Sequence, residues 1–136
     1  MKDVRELRIG NYILYKGNNV EITGIQLKHI EARSFYRDAK TPTGLENHSL
    51  RIEDCNPIPL TVELFLKCGF VYNAVDDCFD RLNLRVRILG NSICAFIGVE
   101  VGFGKEWYDA NIEIKSLHQL QNLYFSLTGK ELEVNL

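Results

Sequence analysis

The sequence predicts an α+β fold: a small N-terminal SH3-like antiparallel β-sheet or barrel, then a four-stranded antiparallel sheet covered by a C-terminal helix, with one short additional helix. Three observations carry this expectation. Leu82, Leu84, Val86 and Ile88 alternate with polar residues up to Gly90-Asn91, and Ile93, Ala95, Ile97, Val99 and Val101 alternate beyond it, the pattern of two strands joined by a tight hairpin. Leu117, Leu120, Leu123, Tyr124 and Leu127 recur at spacings of three and four, so they share one helix face. Earlier in the chain, short apolar runs separated by polar turns point to a strongly bent sheet.

Taken in order, Leu7 to Tyr15 is a turn followed by a strand, Lys16-Gly17-Asn18-Asn19 the next turn, and Val20 to Ile25 a strand that pairs back. His29 to Arg33 is a third strand. Arg37 to Asn47 is polar and reads as a surface loop, after which Leu50-Arg51-Ile52 closes the first sheet. Asn56-Pro57-Ile58-Pro59-Leu60 is a stiff extended connector, because each proline fixes its own φ and keeps the preceding residue out of a helix. It separates a β-rich subdomain, residues 1–56, from an α+β subdomain, residues 57–136, the two expected to share one compact unit.

Thr61 caps a short helix with Glu63 in its first turn, Leu64, Phe65 and Cys68 supply apolar contacts, and Gly69 ends it. Phe70 to Val75 is a strand that turns at Asp76-Asp77. Folding the next two strands at Gly90-Asn91 sets Ile88 against Ile93, Val86 against Ala95, Leu84 against Ile97 and Leu82 against Val99. A slip by one residue would spoil both faces. On the polar face Arg85 then falls across from Phe96 and Arg81 across from Glu100. Tyr108, Ala110, Ile112 and Ile114 line a further strand. Ser116 and Gln119 form a capping box for the last helix, Thr128-Gly129 stops it, and Leu132 and Val134 alternate as a short terminal strand.

Composition narrows the function classes. The 136 residues suffice for an independent core, and a net charge of -2 with a pI near 5.9 excludes the domain-wide positive field of many nucleic-acid binders. The N-terminus carries no apolar signal run and no stretch approaches the ~20 residues of a membrane span, so a cytoplasmic protein with no membrane partner is expected. Cys55, Cys68, Cys78 and Cys94 lack the spacing of a zinc knuckle and read as buried free thiols, with disulfides in one of three connectivities as the alternative.

Four groups of residues bear on chemistry. Arg81, Arg85 and Arg87 with Asn83 and Phe96 place cations beside an aromatic ring on one sheet face, the arrangement on which single-stranded nucleic acid stacks; the competing reading is a solvated face whose long side chains lie over Phe96. Asp76, Asp77 and Asp80 are the densest acidic cluster and the weak candidate for a divalent cation, although the spacing is not that of an EF-hand and acids are ordinary in turns. Phe103 and Trp107 beside a glycine-rich loop read as a protein-contact patch or as core. Gly98 to Lys105 fails as a phosphate loop on spacing, and Glu106 stands where Ser or Thr would bind Mg²⁺, so no nucleotide or other cofactor is expected. His29, His48 and His118 share no ligand spacing, and His118 reads as a surface or half-buried residue.

Three strings carry a resemblance: Glu6-Leu7-Arg8-Ile9-Gly10-Asn11-Tyr12; Pro57-Ile58-Pro59-Leu60-Thr61 with Lys67-Cys68-Gly69-Phe70; and Leu120-Gln121-Asn122-Leu123-Tyr124-Phe125 with Leu127-Thr128-Gly129-Lys130-Glu131-Leu132. On these the chain resembles a family of small proteins carried by prophages and mobile elements of Bacteroidetes-type gut bacteria. The resemblance implies no activity, cofactor or catalytic residue. The expected function is a non-enzymatic binding module with a protein partner; a nucleic-acid accessory protein using the arginine face is the alternative, and a metal-dependent enzyme on the acidic turn the weaker one. The sequence carries no signal of oligomeric state.

Overall fold

A computed structural model of the chain describes residues 4–34 and 46–136. It is α+β, with two five-stranded antiparallel sheets and two α-helices among these residues. The chain divides into two units: residues 1–59 with 116–122, and residues 60–115 with 123–136. The division falls at the proline connector, three residues beyond the boundary read from the sequence, and the first half of the last helix belongs to the first unit.

The first unit is built from β1 (Tyr12–Tyr15), β2 (Asn18–Ile25), β3 (His29–Ser34), β4 (Glu46–Arg51) and β5 (Cys55–Asn56), in the order β4-β3-β2-β1-β5. β1 and β2 join through Lys16-Gly17, both with positive φ (50° and 78°), the two-residue turn whose twist matches the strands it connects. Ile13, Val20, Ile22, Ile30, Ala32, Leu50 and Cys55 close into its core with Leu7. Most of the loop expected from Arg37 to Asn47 lies outside the described residues, and Glu46 and Asn47 already belong to β4.

A polar network ties this unit together. Asn11 and Gln121 are fully buried. Asn11 Nδ2 donates to Asn122 Oδ1 (2.9 Å), Arg8 Nε donates to the same oxygen (3.3 Å), and Asn122 Nδ2 donates to the Glu6 carbonyl (3.0 Å). Gln121 accepts from the Tyr12 amide (2.9 Å) and donates to the Gly10 carbonyl (3.0 Å). Three of these bonds satisfy main-chain groups, those of Glu6, Gly10 and Tyr12, and the other two hold the Asn122 side chain in place.

The second unit carries α1 (Val62–Lys67) and the sheet β6 (Val71–Asn73), β7 (Cys78–Arg81), β8 (Leu84–Leu89), β9 (Ser92–Val101) and β10 (Gly104–Glu113), ordered β10-β9-β8-β7-β6. Thr61 Oγ1 accepts from the Leu64 amide as expected of the cap, and Leu64, Phe65 and Cys68 are buried. The Gly90-Asn91 hairpin holds Ile88 to Ile93, Val86 to Ala95, Leu84 to Ile97 and Arg85 to Phe96, the register the alternation requires. The sheet has five strands rather than four because β7 turns into β8 at Leu82-Asn83. Leu82 there has φ +51° and is exposed, so its expected pairing with Val99 does not form.

α2 (Leu117–Thr128) begins with the side-chain bond expected of Gln119, the Ser116 amide donating to Gln119 Oε1 (3.2 Å), and stops at Gly129, φ +71°. Its Leu117 and Leu120 are buried with the first unit; from Leu123 onward the helix and tail belong with the second, where Tyr124 and Leu132 are buried. The tail residues Leu132 and Val134 form no strand. The Asn135 amide donates to the Lys67 carbonyl instead (3.0 Å). Cys55, Cys68 and Cys78 are buried free thiols and Cys94 is half-buried. No helix among the described residues is long and apolar enough to cross a membrane.

Candidate functional site

Directly opposed residues of antiparallel strands share a face. Asp80, Arg85, Phe96 and Asp109 therefore form one row across β7 to β10, with Gly98 and Trp107 opposed two residues further along the same face. Arg85 is at the centre of that face and is only 7% exposed. Its Nε and Nη2 donate to the two Asp80 oxygens at 2.7 and 2.9 Å, and Nη2 also lies 3.2 Å from Asp76. The guanidinium carbon stands 4.2 Å from the centre of the Trp107 ring. A planar five-donor cation can meet a carboxylate edge-on and an indole face-on together; an ammonium cannot.

Glycine makes the indole's position available. Gly98 is the cross-strand partner of Trp107, and a Cβ there would come within 2.9 Å of the ring. Burial pushes the Asp80 carboxyl up, but hydrogen bonds and charge from Arg85, with help from Asn73 and Cys78, outweigh it and hold the group below its ordinary value. The same hydrogen bonds raise Arg85. The Arg85 charge is thus met within the protein by Asp80 and Asp76, and Arg85 is not part of the solvated outer face read from the alternation.

The other two arginines part company. Arg81 opposes Leu84 and so lies on the apolar face, away from Arg85 and not across from Glu100, which opposes Lys105. Its Nη1 donates to the Cys68 carbonyl (2.7 Å) and its Nε to the Tyr124 hydroxyl (3.3 Å), with a Cβ at Gly69 excluded by its guanidinium. The two-residue turn at Leu82-Asn83 causes the change of face: it resets which parity of residue points inward. Arg87 stays with Arg85, half-buried, 5.4 Å over the Phe96 ring and donating to the Asp76 carbonyl (3.0 Å).

The acidic turn serves the protein itself. Asp76 and Asp80 hold Arg85, and Asp77 Oδ1 accepts from the Tyr72 hydroxyl at 2.7 Å. No group of three His, Cys, Asp or Glu among the described residues is placed to hold a metal ion. Phe103 is fully exposed at the β9–β10 tip, whereas Trp107 is bedded on Gly98 and Arg85. His29 is exposed, and His48 Nε2 lies 3.2 Å from Ser34 Oγ. His118 is 2% exposed rather than superficial, with Nδ1 3.1 Å from Ser116 Oγ.

A further surface, outside the sequence expectations, lies on the apolar side of this unit. Val62 and Leu66 of α1, with Tyr72, Phe79 and Ile88 of the sheet and Asp77, line a groove of about 460 Å³. Val62, Leu66 and Tyr72 are each about half exposed. The signal was present: Val62 and Leu66 are four apart, so α1 carries a second apolar stripe besides Leu64, Phe65 and Cys68. No protein-family model, curated protein or solved structure matches the chain.

Proposed function

We propose that the chain is a non-enzymatic interaction module that takes an apolar segment of a protein partner in the groove beside α1. The observation that carries this reading is α1 itself. A six-residue helix needs one apolar stripe to dock on its own sheet, and Val62 and Leu66 form a second stripe that, with Tyr72 and Ile88, leaves contiguous apolar surface facing water. The closed Arg85 cluster favours it over the nucleic-acid alternative, since that arginine's donors are already engaged by Asp80 and Asp76. The family resemblance supports a cytoplasmic accessory protein of a prophage or mobile element. In the first unit, the return of β5 onto β1 supports an SH3-like arrangement.

The test is recovery of a partner from the host on the immobilised protein, its identification, and titration of the purified pair. Leu66→Glu and Ile88→Glu are expected to weaken that pair at least tenfold with the melting temperature unchanged. A partner bound equally well by both variants would remove the groove as its site.

A further inference from the structure

The outer edge of β10 is built to pair with itself, and we infer that two copies of this chain associate antiparallel along it, centred on Trp107. The argument starts from which backbone groups are free. The Gly98 amide donates to the Asn83 carbonyl (2.8 Å), so the main-chain groups of Gly98 point toward β8 and away from β10. Its partner Trp107 therefore turns its own N–H and C=O away from β9, as do Lys105 and Asp109 at period two. Among the described residues β10 is the last strand of its sheet, which leaves these groups on an open edge.

The residues along that edge are symmetric about Trp107. Setting Trp107 against its copy places Lys105 opposite Asp109 and Asp109 opposite Lys105, so opposite charges meet on both sides of the axis. These are also the residues with outward main-chain groups, and each pair exchanges both of its ladder bonds. On the other face Glu106 meets Tyr108 twice. Within one chain the Tyr108 hydroxyl already donates to Glu106 Oε2 at 2.6 Å, a bond that can pass to the facing copy. Gly104 meets Ala110, a pair too small to obstruct.

Two further features fit the same arrangement. The Trp107 side chain lies back over Gly98 of its own sheet, which clears the axis for the main chains to approach. Regular pairing of β10 ends after Asp109, where Asn111 has φ +54° and the register shifts, so the straight part of the strand stops where the symmetric segment does. The register also brings the fully exposed Phe103 level with Asn111 and the half-exposed Ile112 of the second copy. The occupant is a second copy because the segment's own reverse presents the complementary charge at both positions.

Charge exchange tests this. By sedimentation or light scattering over a concentration series, the wild-type chain is expected to dimerise. D109K and K105D each set like charges opposite one another at both ends of the ladder and should weaken the dimer about tenfold or more. The double variant K105D/D109K should restore it, and an equimolar mixture of the two single variants should form the mixed dimer. Both singles keep Trp107 on Gly98 and Arg85. K105D gives up the Lys105 ammonium 5.7 Å over the ring and its bond to the Leu82 carbonyl, and D109K the acceptor of the Asn111 amide, so an unchanged melting curve separates lost association from lost folding. A wild-type chain monomeric up to about 100 μM, a dimer indifferent to either charge variant, or a double variant that fails to recover would each overturn the inference.

Discussion

The Arg85 guanidinium lies 4.2 Å over the Trp107 ring while gripping both oxygens of Asp80. This one side chain joins β7, β8 and β10 across β9, so its loss should register as stability rather than as ligand affinity. Arg85→Ala is expected to cost about 2 to 4 kcal/mol, somewhat under the usual range for stranding a buried charge because Asp80 keeps partial access to water. Arg85→Lys should recover little of it, since an ammonium cannot span the carboxylate and cover the indole. Urea unfolding of the three proteins decides this; a cost under about 0.5 kcal/mol would mark the contact as incidental.

Gly98→Ala probes the same cluster from beneath. The added methyl would press on the indole, and lifting the ring separates it from Arg85. A loss of about 1 to 3 kcal/mol is expected, the range for overpacking a filled site. Trp107 is the sole tryptophan, so its emission reports the event directly, and a red shift relative to wild type is expected in the folded variant. An unchanged spectrum would show that the ring is not seated on Gly98.

These residues also show where the sequence is readable and where it is not. Gly90 and the strict alternation around it specify the β8–β9 register, because any slip would turn both faces inside out. The turn at Leu82-Asn83 carries no glycine, and a leucine at φ +51° leaves no trace in residue type, so β7 merges with β8 in the sequence and Arg81 is assigned to the wrong face. Burial of Arg85 is invisible for another reason. Its partners Asp80, Asp76 and Trp107 come from three places in the chain, and only the assembled sheet brings them together.

Residues far apart in the chain meet in the polar network of the first unit. Asn11 and Asn122 share a 2.9 Å hydrogen bond, and Gln121 bonds the main chain of Gly10 and Tyr12. Asn122→Ala would leave the buried Asn11 amide and the Glu6 carbonyl without these partners, at an expected cost of about 1 to 3 kcal/mol. Asn122→Asp keeps the acceptor and should recover part of it. Equal losses in the two variants would show that the Asn11 bond contributes nothing.

Thiol chemistry gives an independent check of the packing. Burial pushes Cys68 up to about 12 against the opposing charge of Arg81, and burial also raises Cys55 and Cys78. Since the thiolate is the reactive form, Cys94, half-buried on β9, should be alkylated first in the native protein. The other three are expected to react only on unfolding. Rapid native labelling of Cys68, read by mass spectrometry, would contradict the burial of α1 against its sheet.

His118 predicts a pH dependence. It is buried, its Nε2 has no hydrogen-bond partner among the described residues, and burial depresses its pKa below the ordinary 6.5 against the opposing influence of Glu6, whose carboxylate is 3.7 Å away. Between the depressed folded value and 6.5 the unfolded chain binds more protons than the folded one. Stability from this residue is therefore complete above pH 6.5 and falls as pH drops below it, by no more than about 1.4 kcal/mol per unit. Removing the Glu6 charge with Glu6→Gln should carry the loss further down the pH scale, because the folded pKa falls again. Replacing the imidazole with His118→Gln should flatten this part of the profile, and a wild-type unfolding free energy constant from about pH 7.5 to 5.5 would show that the histidine is protonated equally in both states.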